Sequence, residues 1–173
     1  MKWLKIVVFL YIAITMYADC KNYTKHKRWE QISNQRIFSV SGLVHHKNGF
    51  LIVHDNKKDN QPRISFFKNN KISPLIWPNS NLPYDLEAIS IIPSFKNQYI
   101  LVESTGKCYK IKIEQRNNQI TLMNIFQLET NESMNLEGCI IVKGDFGYKI
   151  MYGDRGSDLR KSTLFVGDFN PIN

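Results

Sequence analysis

The sequence is poor in the features that announce a familiar catalyst. It has no Gly-x-Ser-x-Gly elbow, so an α/β-hydrolase esterase has no support. It has no phosphate-cradling glycine loop of the P-loop type. After residue 20 no apolar stripe at helical spacing runs for roughly ten residues, and long helices are therefore not expected. No apolar run reaches the ~20 residues of a membrane span. Acids are outnumbered, 15 Asp and Glu against 23 Lys and Arg, for a formal charge of +8. Such a charge concentrates anions but does not choose among them. With no basic helix and no aromatic-basic ladder, nucleic acid is not an expected partner. Cysteine is scarce and odd in number: Cys20, Cys108 and Cys139. Cys108 and Cys139 can pair across neighbouring strand units or sit as buried thiols, the commoner fate of free cysteine and the favoured reading.

What is present suits one globular domain of 173 residues behind an export signal. Lys2 and Lys5 precede an apolar stretch from Ile6 to Tyr17, and Ala18 offers a small residue before cleavage. Residues 1–18 are thus expected to be removed, leaving a secreted or periplasmic chain with no stable membrane span. An uncleaved N-terminal anchor is the alternative. Lipidation at Cys20 is disfavoured by the lead-in Tyr17-Ala18-Asp19. Residues 19–36 read as a basic lead-in. Two sequons, Asn22-Tyr23-Thr24 and Asn131-Glu132-Ser133, matter only in a glycosylating host.

From residue 37 to 173 a pattern recurs about every 49 residues, a period of the length that propeller blades show. Phe50, Tyr99 and Tyr148 each lead an apolar β run that ends in a polar, acidic turn. Ser41-Gly42-Leu43, Leu86-Glu87-Ala88 and Leu136-Glu137-Gly138 precede those runs. The expected fold is all-β, a partial or open propeller of about three blades at 37–70, 84–128 and 134–170. Expected strands are Val40 to His46, Phe50 to His54 and Arg63 to Lys68 in the first repeat. Leu86 to Ile92, Gln98 to Glu103, Cys108 to Glu114 and Ile120 to Gln127 follow in the second. Leu136 to Val142, Tyr148 to Tyr152 and Ser162 to Asp168 make up the third. Lys71 to Pro83, with three prolines, reads as a connection between blades. Three blades leave open sheet edges, which invite self-association. A truncated or split product, a ring of several chains, and a small open sandwich are the competing explanations.

The motifs Val53-His54-Asp55-Asn56, Asp85-Leu86-Glu87-Ala88-Ile89, Asn135-Leu136-Glu137-Gly138 and Gly153-Asp154-Arg155-Gly156 make residues 37 to 169 resemble a secreted β-propeller family. That family is phytase-like or esterase-like and includes the group named after SdiA regulation. Its members are usually longer, and this chain looks like an N-terminal half. The resemblance implies a hydrolase acting on ester or phosphoester bonds. Acids at repeated strand ends suggest Ca²⁺ ligands, since that ion takes oxygen donors. Glu87, Glu103, Glu137 and Asp154 are the candidates, with Lys107 and Arg155 as anion binders for an anionic small molecule. Against this stands the commoner role of such acids, capping turns through backbone N–H groups. A non-catalytic envelope module that binds a ligand or a protein is the alternative function. His46 and His54 flank one hairpin and could approach across it, but one pair is too few for a zinc site, and His45, His46 and His54 read as surface or cross-strand residues.

Overall fold

The computed structural model describes residues 30–114 and 116–172. The signal segment, Cys20 and the first sequon lie outside the described residues. Ser33–Asn173 forms one unit. Among the described residues the only helix is a single 3-10 turn at Arg36–Phe38; the rest of the regular structure is strand. The first sheet contains β1 (Gly42–His46), β2 (Gly49–Val53), β3 (Ile64–Lys68) and β4 (Lys71–Pro74). The second contains β5 (Leu86–Ile91), β6 (Gln98–Glu103), β7 (Lys107–Ile113) and β8 (Ile120–Gln127). The third contains β9 (Leu136–Gly144), β10 (Gly147–Asp154) and β11 (Thr163–Phe169). Each sheet is an antiparallel meander in chain order, and none closes on itself.

β4 lies inside the stretch expected to be a connection. Its hairpin turn is Asn69-Asn70, both at positive φ (49° and 57°), a conformation that asparagine tolerates. Pro74 is the last residue of this edge strand, where a missing N–H costs little. The remainder of the connection carries Trp77 inward, edge-on to Tyr109 at 5.5 Å.

The second sheet is covered on both faces. Leu51, Val53 and Ile64 of the first sheet meet Ile89, Leu101, Tyr109 and Ile111 in one apolar cluster. Ala88, Ile100, Val102 and Cys108 meet Ile141, Ile150 and Tyr152 of the third sheet in another. This explains why β5, which touches β1 and β9 alike, is mostly apolar and shows no alternation. Small residues permit the close approach. A Cβ on Gly42 would lie 3.1 Å from the Ile89 nitrogen and 3.2 Å from the Ala88 Cα. At the other junction the Ile141 N–H donates to Ser90 Oγ at 2.8 Å. Cys108 and Cys139 belong to this second cluster as free thiols. Burial pushes the Cys139 thiol up to about 12 and Cys108 higher still.

His45 is exposed, in keeping with a surface residue, whereas His46 and His54 depart from a surface placement. His46 and His54 are buried at opposite ends of β2 and do not form a pair. His46 Nδ1 shares a 2.6 Å hydrogen bond with the Tyr99 hydroxyl of the second sheet. His54 Nδ1–H donates to the Ser39 carbonyl (2.7 Å), which leaves Nε2 to accept from Ser65 Oγ (2.8 Å). Burial lowers the pKa of both rings and keeps them neutral. Apolar strands on both sides of β2 override the polarity of the residue type.

Candidate functional site

Glu87 and Glu137 each occupy a β-bulge. Leu86 pairs with Glu103 and Ala88 with Val102, so Glu87 has no cross-strand partner. Leu136 pairs with Asp154 and Gly138 with Gly153, which leaves Glu137 in the same position. A bulge re-aims the extra side chain out of the alternation of the strand. Because β5 neighbours β9, the two re-aimed carboxylates come together at one end of adjacent strands. The Glu87 carboxyl is pushed up to about 7, first by burial, then by the charges of Glu137, Asp85 and Asp55; Lys57 offsets them in part.

Cations line the same end. Arg155 Nη1 lies 3.1 Å from Glu137 Oε1. Lys57 Nζ lies 3.0 Å from Asp85 Oδ2, which also accepts the Ser104 hydroxyl at 2.8 Å. Arg36 grips Asp55 with two bonds, 2.8 and 2.7 Å, and Ser39 Oγ adds a third at 2.7 Å. The Arg36 hydrogen bonds hold the Asp55 carboxyl below its ordinary value. Asp85 sits at φ +59°, one of the few side chains besides glycine that take this conformation without strain.

Glu103 and Asp154 end the second strands of their sheets and are tied into the fold. Glu103 Oε1 accepts the Tyr84 N–H (2.7 Å) and the Tyr109 hydroxyl (2.5 Å), and Oε2 accepts Thr105 Oγ1 at 3.3 Å. Asp154 Oδ1 accepts the Asn135 N–H at 2.9 Å and the Gly156 N–H at 3.3 Å, and Arg160 closes the group as an ion pair. In both sheets the acid binds a backbone N–H 19 residues upstream, just before the first strand. Lys107 starts β7 with its ammonium 5.3 Å from the Tyr109 ring centroid.

Of the six predicted site residues, Glu87, Glu137 and Arg155 come together. Lys57, Arg36 and Asp55 complete that end of the sheets without having been singled out as ligands or anion binders. The recurring 19-residue spacing of Arg36–Asp55, Asp85–Ser104 and Asn135–Asp154 is the sequence signal that ties each lead-in to its strand end. Among the described residues no three His, Cys, Asp or Glu side chains gather as a metal shell requires. Glu87 and Glu137 supply two carboxylates where Ca²⁺ takes six to eight oxygens, so the predicted quartet does not fit that ion as one shell. No family model, curated protein or solved structure matches the chain.

Proposed function

We propose that the three sheets are consecutive blades of a propeller-type fold in an exported, non-catalytic binding module. Its ligand presents a cationic group to Glu87 and Glu137. The observation that carries this reading is the pair of bulges that sets both carboxylates at the same end of neighbouring strands, within electrostatic reach of each other. Two adjacent carboxyls, one pushed up to about 7, make an end of the protein that gains most from an approaching positive charge. The ordered meanders, and β5 lying between β1 and β9, support the blade reading.

Calorimetric titration with Ca²⁺ and with the polyamine spermidine tests it at pH 6 and pH 8. A cation binds the ionised carboxylate, so affinity rises with pH. With a carboxyl titrating near 7, the ionised fraction grows about tenfold across that interval. The expected result is tighter binding at pH 8 for at least one probe, lost in Glu87→Gln. Absence of heat with either probe, or binding unchanged in Glu87→Gln, refutes the reading.

Phosphoester hydrolysis assisted by an ion is the second reading, and Arg155 beside Glu137 favours it. Arg155, Lys57 and Arg36 offer positive charge for an anionic substrate at the same end of the strands. Release of phosphate from a generic monoester in the presence of Ca²⁺, abolished by Arg155→Ala, supports hydrolysis over binding alone.

A further inference from the structure

Among the described residues the first and third sheets each have one face with no sheet packed on it, and these faces correspond to faces that are buried inside the molecule. On the first sheet Ile52, His54 and Ser65 are buried at one end of that face and the rest of it is partly exposed. On the first sheet Leu43, His45, Phe50, Phe67 and Ile72 project away from the second sheet. Leu43 is 57% and Phe50 38% exposed. On the third sheet Ile140, Val142, Met151, Leu164 and Val166 project away from the second sheet, with Ile140 at 52% and Leu164 at 63%. Apolar patches of this kind mark interaction surfaces.

We propose that a second copy of this chain covers them, head to tail. The third sheet of one copy packs on the first sheet of the next, as the first packs on the second and the second on the third. Three features of the internal junctions provide the template. Gly42 admits the backbone of β5 so closely that a Cβ would be crowded there, and Ala88 holds the matching place in β5. Gly138 holds that place in β9, and a Cβ there would meet nothing within 4 Å. It is a small residue set for close approach with no strand upon it.

The second feature is an aromatic couple. Tyr99, near the head of β6, reaches back to His46 of the preceding sheet. Tyr148, near the head of β10, meets Phe95 in the hairpin turn of the preceding sheet, edge-on at 5.9 Å. Phe50 holds the same place in β2 and has no preceding sheet among the described residues. Phe146, in the shorter β9–β10 hairpin turn, is the turn aromatic of the third sheet and is fully exposed. Phe50 meets only rings of its own sheet, His45 at 5.9 Å and Phe67 at 6.5 Å, so a strand aromatic without a cross-sheet partner and an exposed turn aromatic stand at opposite ends of the same unit.

The third feature is the nature of the contact. Both internal junctions join unlike faces, so a contact built on their pattern is heterologous and each copy keeps one face for a further partner. Two copies close a ring if the rotation permits, and more copies extend the row if it does not. The inference rests on the packing faces and is independent of the acid-lined end.

The test uses the full chain and two charged variants, Phe146→Asp and Phe50→Asp, each checked for native circular dichroism. Sedimentation velocity across a wide concentration range should show the unaltered chain at twice the single-chain mass or more. Each variant alone should fall to the single-chain mass. An equimolar mixture should recover a one-to-one pair, because each variant supplies the face that the other lacks. Gly138→Leu, which has open space around it in the single chain, should lose association, and its thermal midpoint should match that of the unaltered chain at dilutions where the latter is dissociated. A single-chain mass for the unaltered protein at every concentration overturns the proposal. So does association that persists in either charged variant alone, which indicates like-to-like pairing. Hydrogen exchange showing β1 and β2 of a monomer covered by residues 1–29 overturns it as well.

Discussion

Glu87→Gln removes a charge from the acidic end without changing side-chain size. In the folded protein the Glu87 carboxyl sits at about 7 against an ordinary 4.5. That raised value means the fold resists ionisation. Below pH 4.5 both folded and unfolded chains are protonated and no penalty arises. Between 4.5 and 7 the unfolded chain ionises first and stability falls. Above 7 the penalty is complete. A shift of this size corresponds to an upper bound of about 3.4 kcal/mol, at 1.36 kcal/mol per unit. Glu87 is half-buried, and solvent screening reduces that to roughly 1–2 kcal/mol. Glu87→Gln should therefore melt about 3–8 °C above the unaltered chain at pH 8.5. At pH 4 the two should melt together. Differential scanning calorimetry at both pH values reads the difference directly. Equal separation at pH 4 and pH 8.5, or no separation at either, refutes the argument that neighbouring acids and burial strain Glu87.

Other expectations follow from the same geometry. Tyr109→Phe strips Glu103 of its 2.5 Å hydroxyl partner and should cost about 1–3 kcal/mol in urea unfolding. Gly42→Val forces a branched side chain against the β5 backbone and should lower the thermal midpoint clearly, by the few kcal/mol typical of overpacking (about 1–3). Gly138→Val in the dissociated chain should leave the midpoint within error, although the two glycines hold matching places. His54 is buried neutral with a lowered pKa, so its contribution is present above the ordinary value of 6.5 and is lost as pH falls below it. His54→Gln should flatten the acid limb of a stability-against-pH curve measured by fluorescence. An unchanged limb would mean that other groups govern acid unfolding.

The strand order was legible because its signals are local. Glycine-bearing turns such as Lys47-Asn48-Gly49, and apolar runs led by Phe50, Tyr99 and Tyr148, place most of the observed strands within a residue or two. β4 escaped because proline at its end and at two later positions spoke for a connection, while Asn69-Asn70 is a weaker turn signal than glycine. At the acidic end, Glu87 and Glu137 were visible from the repeated Leu-Glu-small motif. Their convergence depends on two bulges, which no alternation pattern in β5 or β9 reveals. Glu103 and Asp154 looked equivalent to them in one dimension. The fold separates the pairs because an acid at the end of a second strand meets the backbone of its own lead-in. The burial of His46 and His54 was illegible for a related reason: the strands covering β2 come from distant parts of the chain.

The two thiols at the junction of the second and third sheets provide a built-in clock. A thiol reacts with alkylating reagents only as thiolate, and one pushed up to about 12 is ionised to roughly one part in ten thousand at pH 8. Cys108 is buried between those two sheets, so its labelling in the native protein is gated by their separation, while Cys139 is only partly buried. The rate of Cys108 labelling, followed by mass spectrometry, reports how often the junction between the second and third sheets opens.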